Sequence, residues 1–224
     1  QTDTRINVVM IKRDGQRHFI KTRSPGSVSL RPEEIDEALI GKARAVSLAS
    51  MFCSKLKDGE TIWKALKTAR EKGLITFADM VPMAAGESMA DIKKALPYLD
   101  YFLPNMEEAA MLTGLDDLGE IADCLLGHGI KNVIIKLGKE GCLIANRQER
   151  YRIPAFPADV VDTTGAGDNF AAGFISAVLD GMELKDCGRF ANAVAAVSTE
   201  AVGAVGGVKN KEQVESYLKN HTPW

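Results

Sequence analysis

The run Asn132-Val133-Ile134-Ile135-Lys136-Leu137 is short and almost continuously apolar. A strand of this kind belongs in a parallel sheet that is buried on both faces. The surrounding pattern agrees. Residues 45–49 read as a short buried strand and 74–78 as another, leading to Asp79. Residues 61–72 form an amphipathic helix pattern ended by Gly73, with Trp63 on its core side. A helix over 91–96 closes before Pro97, and Tyr101-Phe102-Leu103 is a strand that ends in Pro104-Asn105. Helices follow over 106–113 and 117–127, then paired strands over 142–146 and 150–153. The chain finishes with helices to about 179, near 184–201 and near 211–219. Repeated strand–helix units imply an α/β fold, a doubly wound and mostly parallel sheet flanked by helices, with right-handed crossovers.

The start of the chain differs. Residues 5–11 and 17–22 are β-rich and flank Arg13-Asp14-Gly15-Gln16, and Asp-Gly between two such runs signals a hairpin. A lone two-stranded hairpin is marginal in water, so it must pair with something more. Arg31-Pro32-Glu33-Glu34 then opens a helix, with Pro32 suited to its first turn and the acids to its dipole.

Composition narrows the function. Lys and Arg number 28 against 30 Asp and Glu, a net charge of -2, which gives no reason to expect nucleic acid or an acidic membrane as partner. No apolar run approaches membrane-spanning length, and Gln1-Thr2-Asp3-Thr4-Arg5 is no signal peptide. Cys53, Cys124, Cys142 and Cys187 lack metal-ligand spacing, and His18, His128 and His221 are far apart. Three of the cysteines sit in apolar sequence, as small core residues of a cytoplasmic protein do.

The chemistry concentrates at Asp162-Thr163-Thr164-Gly165-Ala166-Gly167-Asp168, followed by Asn169-Phe170-Ala171-Ala172-Gly173-Phe174. Val160-Val161 before it has strand character, and Phe170, Phe174, Ala177 and Val178 after it keep helical spacing, so a helix starts near Ala166. Two glycines at such a junction let backbone N–H groups converge on an anion at the positive end of the helix dipole. Asp168 in that first turn is a suitable base for a hydroxyl that attacks a phosphoryl group, or simply a helix cap. A dinucleotide fingerprint would need glycine where Phe170 stands, and a Walker loop would need Ser or Thr where Glu140 follows Gly138-Lys139.

This thirteen-residue run resembles the C-terminal signature of the ribokinase-like (PfkB) family of carbohydrate kinases. Two further segments are similar to family motifs: Asn105-Met106-Glu107-Glu108, with Asn105 and Glu108 as fixed members, and Lys136-Leu137-Gly138-Lys139-Glu140-Gly141, the loop along the nucleotide phosphates. The resemblance implies ATP-dependent phosphorylation of a sugar or sugar-acid hydroxyl. Asp168 would be the general base, the amides of Gly165, Ala166 and Gly167 would stabilise the transferring group, and Asn105 and Glu108 would hold Mg²⁺ with its waters. Lys136, Gly138, Gly141 and Asn192 would line the nucleotide. Asp162, Thr164, Ser198, Ala201 and Gly203 would surround a monovalent cation, K⁺, although Val205-Gly206-Gly207 departs from the family's usual proline. Read from the residues alone, Asn105 and Glu108 also fit a helix start, Gly138–Gly141 a hairpin turn, and Asn192 a solvent-facing helix position. Residues 1–24 look like part of a β lid that closes over the sugar and makes homodimer contacts, and 25–224 like the nucleotide-binding kinase domain. Arg17 and Arg23 would be acceptor contacts or exposed strand charges. The family's opening segment, with its sugar-binding Asp, has no counterpart here, so the expectation is a fragment or a shortened relative. A nucleoside or vitamin kinase of the same fold, and a non-catalytic nucleotide-binding relative, remain as alternatives.

Overall fold

The computed structural model describes residues 7–11, 17–21, 30–53, 58–83 and 86–223. Strands β1 (Asn7–Ile11) and β2 (Arg17–Lys21) pair antiparallel, with Val9 opposite Phe19, as the hairpin pattern requires. Its turn and Arg23 lie outside the described residues, as does the Arg17 side chain.

The rest is built on one six-stranded sheet in the order β3 (Ala45–Met51), β4 (Ile75–Met80), β5 (Tyr101–Phe102), β6 (Asn132–Lys136), β7 (Cys142–Ala145) and β8 (Arg150–Ile153). The first four strands are parallel; β7 and β8 add antiparallel. The alternation of side chains along the strands divides the core in two. Val133, Ile135, Ala78, Phe102 and Leu143 join one apolar cluster with the helices that connect the parallel strands, chiefly α2 (Gly59–Glu71), α4 (Met106–Thr113) and α5 (Leu118–Gly127). Ile134, Phe77, Leu103, Cys142 and Ile144 join the other, under α6 (Ala166–Leu179), α7 (Leu184–Thr199) and α8 (Lys211–Asn220). Sequential parallel strands with right-handed crossovers place all their connecting helices on one face. The second face is therefore left for three consecutive C-terminal helices. The apolar run that defines β6 is buried because both layers press on it.

Local chemistry moves several expected boundaries. The helix expected from Pro32 splits. Pro32–Glu34 is one 3₁₀ turn, and Asp36 then caps a separate short helix, α1 (Glu37–Ile40), by accepting from Ala38 N and Leu39 N. The helix near 91–96 starts earlier, at α3 (Met89–Ile92), because Ser88 N donates to Asp91 Oδ2 at 2.7 Å in a capping box. Pro97 sits inside a 3₁₀ turn, Leu96–Tyr98, where its missing N–H costs nothing. Strand β3 is not fully buried, since Ser47 and Ala49 are exposed on either side of the buried Leu48. Val160 and Val161 form no strand and are 61% and 58% exposed. Trp63 packs on the edge of its core with Lys94 Nζ 3.5 Å from its ring centre. All four cysteines are free; burial pushes the Cys142 thiol up to about 12 and the Cys187 thiol up to about 11. No described helix is long and apolar enough to cross a membrane.

At the entry ends of the parallel strands Asp100 joins three elements. It accepts from Arg70 Nη1 at 2.5 Å and Thr76 N at 2.9 Å, and Lys131 Nζ lies 2.8 Å away. The opposite ends, where Met80, Asn105 and Lys136 lie, are left for a ligand.

If the α6–α7 face is a packed core, Phe77→Ala should cost roughly 3–5 kcal/mol. Phe77 is fully buried and stacks on Tyr101 with ring centres 4.9 Å apart. Urea denaturation measures this, and a loss below about 1 kcal/mol would mean that the second face is loosely packed.

Candidate active site

The glycine motif is held by a network that the sequence does not announce. Val161 N and Asp162 N both donate to Thr199 O, at 2.8 and 3.1 Å. The buried Asp162 carboxylate accepts from Thr164 N through one oxygen and from Gly203 N through the other, at 2.8 and 2.9 Å. Asn169 Nδ2 donates to Gly165 O at 2.9 Å and to Ala204 O at 2.8 Å. Residues 162–165 and 201–204 are thereby fastened into one body. Gly165 has no substitute here: its φ is +76°, and a Cβ would come 2.6 Å from the Ala204 Cβ.

Helix α6 begins at Ala166, as the spacing predicts. Ala166 N donates to Thr163 O at 3.2 Å, so its N–H is already engaged. Among the described residues nothing accepts from the N–H groups of Gly165, Gly167 or Asp168. Asp168, the third helical residue, is exposed at the edge of a cavity of about 740 Å³.

Opposite this turn, the ends of β4 and β6 and the start of α4 bring charge together. Lys136 Nζ pairs with Asp79 Oδ2 at 2.6 Å, with 12% and 13% of their side chains exposed. The same nitrogen lies 3.5 Å from the place a Cβ on Gly167 would occupy. Asn105 caps α4 in a reciprocal box: Asn105 N donates to Glu108 Oε2 and Glu108 N to Asn105 Oδ1, both at 2.8 Å. Glu108 is 6% exposed. Burial raises the pKa of Glu108, against the Asn105 N–H and Lys136, which lower it. Burial likewise raises Asp79, against the pull of Lys136 and with the help of the Asp168 charge.

The turn Gly138–Glu140 joins β6 to β7, so this segment is a hairpin connection and also lines the cavity. Space around Gly138 is open, whereas a Cβ on Gly141 would lie 2.0 Å from Ile153 O. Close packing against β8 is thus what requires glycine at 141. Asn192 does not face solvent. It is 5% exposed and donates to Ile153 O and Pro154 O, both at 3.1 Å, fixing the wall that carries Ala155 and Phe156. Ser198, buried, donates to Ala195 O at 2.7 Å near the end of α7, and Ala201 lies in the loop tied to Asp162. Sequence reasoning missed Asp79, Asn169 and Ser50, which lines the cavity with φ +61°. Asp79 was within reach: it lies two residues after Phe77, as Lys136 does after Ile134, and both apolar residues face α6.

Residues 1–211 match the description "pfkB family carbohydrate kinase". An uncharacterized sugar kinase of Archaeoglobus fulgidus is 35% identical over 176 residues, covering 79% of this chain and 69% of that protein. A 2-dehydro-3-deoxygluconokinase of Bacillus subtilis is 40% identical over 120 residues, 53% of this chain and 37% of its own. The crystal structure of a ribokinase from Thermotoga maritima superposes with a TM-score of 0.78 at 28% identity, over 98% of this chain and 71% of that one. The likeness takes in the sheet, both helical layers and the α6 turn alike, and the chain belongs to the pfkB family of carbohydrate kinases.

Proposed function

We propose that the chain transfers the γ-phosphoryl group of ATP to a hydroxyl of a sugar or sugar acid, with Asp168 as general base. The observation that carries this reading is the first turn of α6. Unengaged N–H groups, an exposed carboxylate and the Lys136 ammonium meet within one turn. Relatives described as 2-dehydro-3-deoxygluconokinase, probable fructokinase-4 and deoxyribokinase support a sugar-type acceptor. Asp168 takes the proton of the acceptor hydroxyl, whose oxygen bonds to the γ-phosphorus as the bridge to ADP breaks. The N–H groups of Gly165 and Gly167 and the ammonium of Lys136 receive the growing negative charge. Ala166 contributes its place in the turn and not its N–H.

Among the described residues no cluster of three metal-ligating side chains exists, which suits Mg²⁺, an ion that binds through one or two carboxylates plus phosphates and waters. Glu108 fits that role, with one oxygen on the cap and a charge that burial leaves undercompensated. Bound Mg²⁺ supplies charge neutralisation on the phosphates; Glu108 and Asn105 would hold its waters. For K⁺ the donors would be Asp162, Thr164 and the carbonyls of Ser198, Ala201 and Gly203, in a loop pair already closed by Asp162. The β1–β2 hairpin would close over the acceptor and pair with a second copy. A panel of sugars, sugar acids and nucleosides with labelled ATP tests the acceptor class, and transfer to nucleosides alone would overturn it.

Asp168→Asn should lower kcat by about 10²–10⁴ while ADP affinity stays within a few-fold, because the amide cannot accept the proton. Unchanged turnover would remove Asp168 from the role. For Glu108→Gln, the sign of the stability effect follows from its raised pKa. The protonated carboxyl stabilises the fold below the ordinary value of 4.5, and that contribution is lost as pH rises through the higher folded value. Glutamine keeps the cap without the charge. The unliganded variant should therefore unfold at pH 8 no earlier than the parent, while its Mg²⁺ requirement rises roughly ten- to a hundredfold. A destabilised variant with an unchanged Mg²⁺ titration would leave Glu108 as a cap alone.

A further inference from the structure

We propose that Asp79 is a positioning residue that holds the Lys136 ammonium over the N-terminus of α6, where the transferring phosphoryl group meets it. The inference rests on the phosphoryl-transfer reading above, and it concerns a residue to which neither the motif pattern nor that reading gives a part.

β4 and β6 are separated by β5, so Asp79 and Lys136 lie two strands apart, on the order of 10 Å between backbones. Both point toward the α6 layer, since each follows by two residues an apolar side chain buried there, Phe77 or Ile134. Strand β5 is only two residues long, and its continuation stays beside β6, with Lys136 N donating to Pro104 O at 2.9 Å and Asn105 bridged to Lys136, before α4 begins at Met106. From β6 the lysine side chain spans the position of β5 to reach Asp79 Oδ2 on β4 at 2.6 Å. Asp79 is itself held, its Oδ1 accepting from Met80 N at 2.8 Å. A lysine is a point charge on a flexible stem, and without an anchor it would distribute among nearby carboxylates. Here Glu108 offers an alternative partner at the same cavity. The Asp79 contact fixes one of the three ammonium donors and leaves the others beside Gly167. Asp79 touches no reacting atom; it acts through Lys136.

Calorimetric titration with ADP and Mg²⁺, with and without aluminium fluoride as mimic of the transferring group, separates this role from others. In the parent protein the fluoroaluminate should tighten ADP binding. Asp79→Asn and Lys136→Met should each reduce that enhancement roughly ten- to a hundredfold, the loss of a hydrogen bond to a charged group, and Asp79→Asn should change binding of ADP alone less than about threefold. The double variant should bind no more weakly than Lys136→Met. An enhancement that survives Asp79→Asn, whatever happens to thermal stability, makes the pair purely structural and overturns the proposal. So does a further loss when Asp79→Asn is added to Lys136→Met, since Asp79 would then act independently, on metal for example. If Asp79→Asn does not fold, Asp79→Glu, which displaces the carboxylate by one methylene, must show the same reduced enhancement. A parent protein that binds ADP with no enhancement at all would instead defeat the phosphoryl-transfer reading itself.

Discussion

Both oxygens of one buried carboxylate, Asp162, are engaged by backbone N–H groups from separate loops, Thr164 and Gly203. That double contact holds the turn before α6 against the loop after α7. Asn169 repeats the link one helical turn later by bonding both Gly165 O and Ala204 O. The helices themselves are packed by α6 and α7 side chains such as Phe174 and Val194, but packing sets only their axes. The position of the first N–H groups of α6 depends on Asp162, and so does the anion site proposed for them. Precision of this order matters because positioning supplies most of the catalysis in phosphoryl transfer.

The charge balance of the cavity explains why a ligand belongs there. Asp79, Glu108 and Asp168 line it against Lys136 and Lys139, and Lys136 is paired with only Asp79. Burial pushes Asp79 and Glu108 up, the sign of carboxylates whose ionised forms are incompletely compensated by the protein. In the proposed reading a cation would complete the balance, and the amides of the α6 turn and Lys136 would then favour the phosphate it accompanies. The site is thus acidic where the metal would sit and electropositive where the phosphoryl group would pass.

Much of this was legible in residues because it followed from short-range rules. The strand β6, the helices α4 and α5 and the start of α6 lie where periodicity and glycine place them. The errors have specific causes. Asp36 and the Ser88–Asp91 box impose their own caps on segments that propensity alone would join or shift. Val160 and Val161 read as a strand because they are β-branched, but among the described residues no strand pairs with them, and the hydrogen bond from Val161 goes to a helix end. Gly141 lines the cavity as the phosphate-loop pattern expects, but the 2.0 Å approach of Ile153 O that also demands glycine there is a tertiary fact that no local pattern contains. The Asp79–Lys136 pair spans 57 positions of sequence and was visible only through strand parity.

In the proposed mechanism the phosphoryl group moves at the first turn of α6, which Asp162 fixes. A crystal structure with ADP, Mg²⁺ and fluoroaluminate tests it most directly. The fluoroaluminate should lie within hydrogen-bond distance of the N–H groups of Gly165 and Gly167 and of Lys136 Nζ, with Asp168 on its far side from ADP. A fluoroaluminate bound away from that turn, with the 162–165 and 201–204 loops separated, would contradict it.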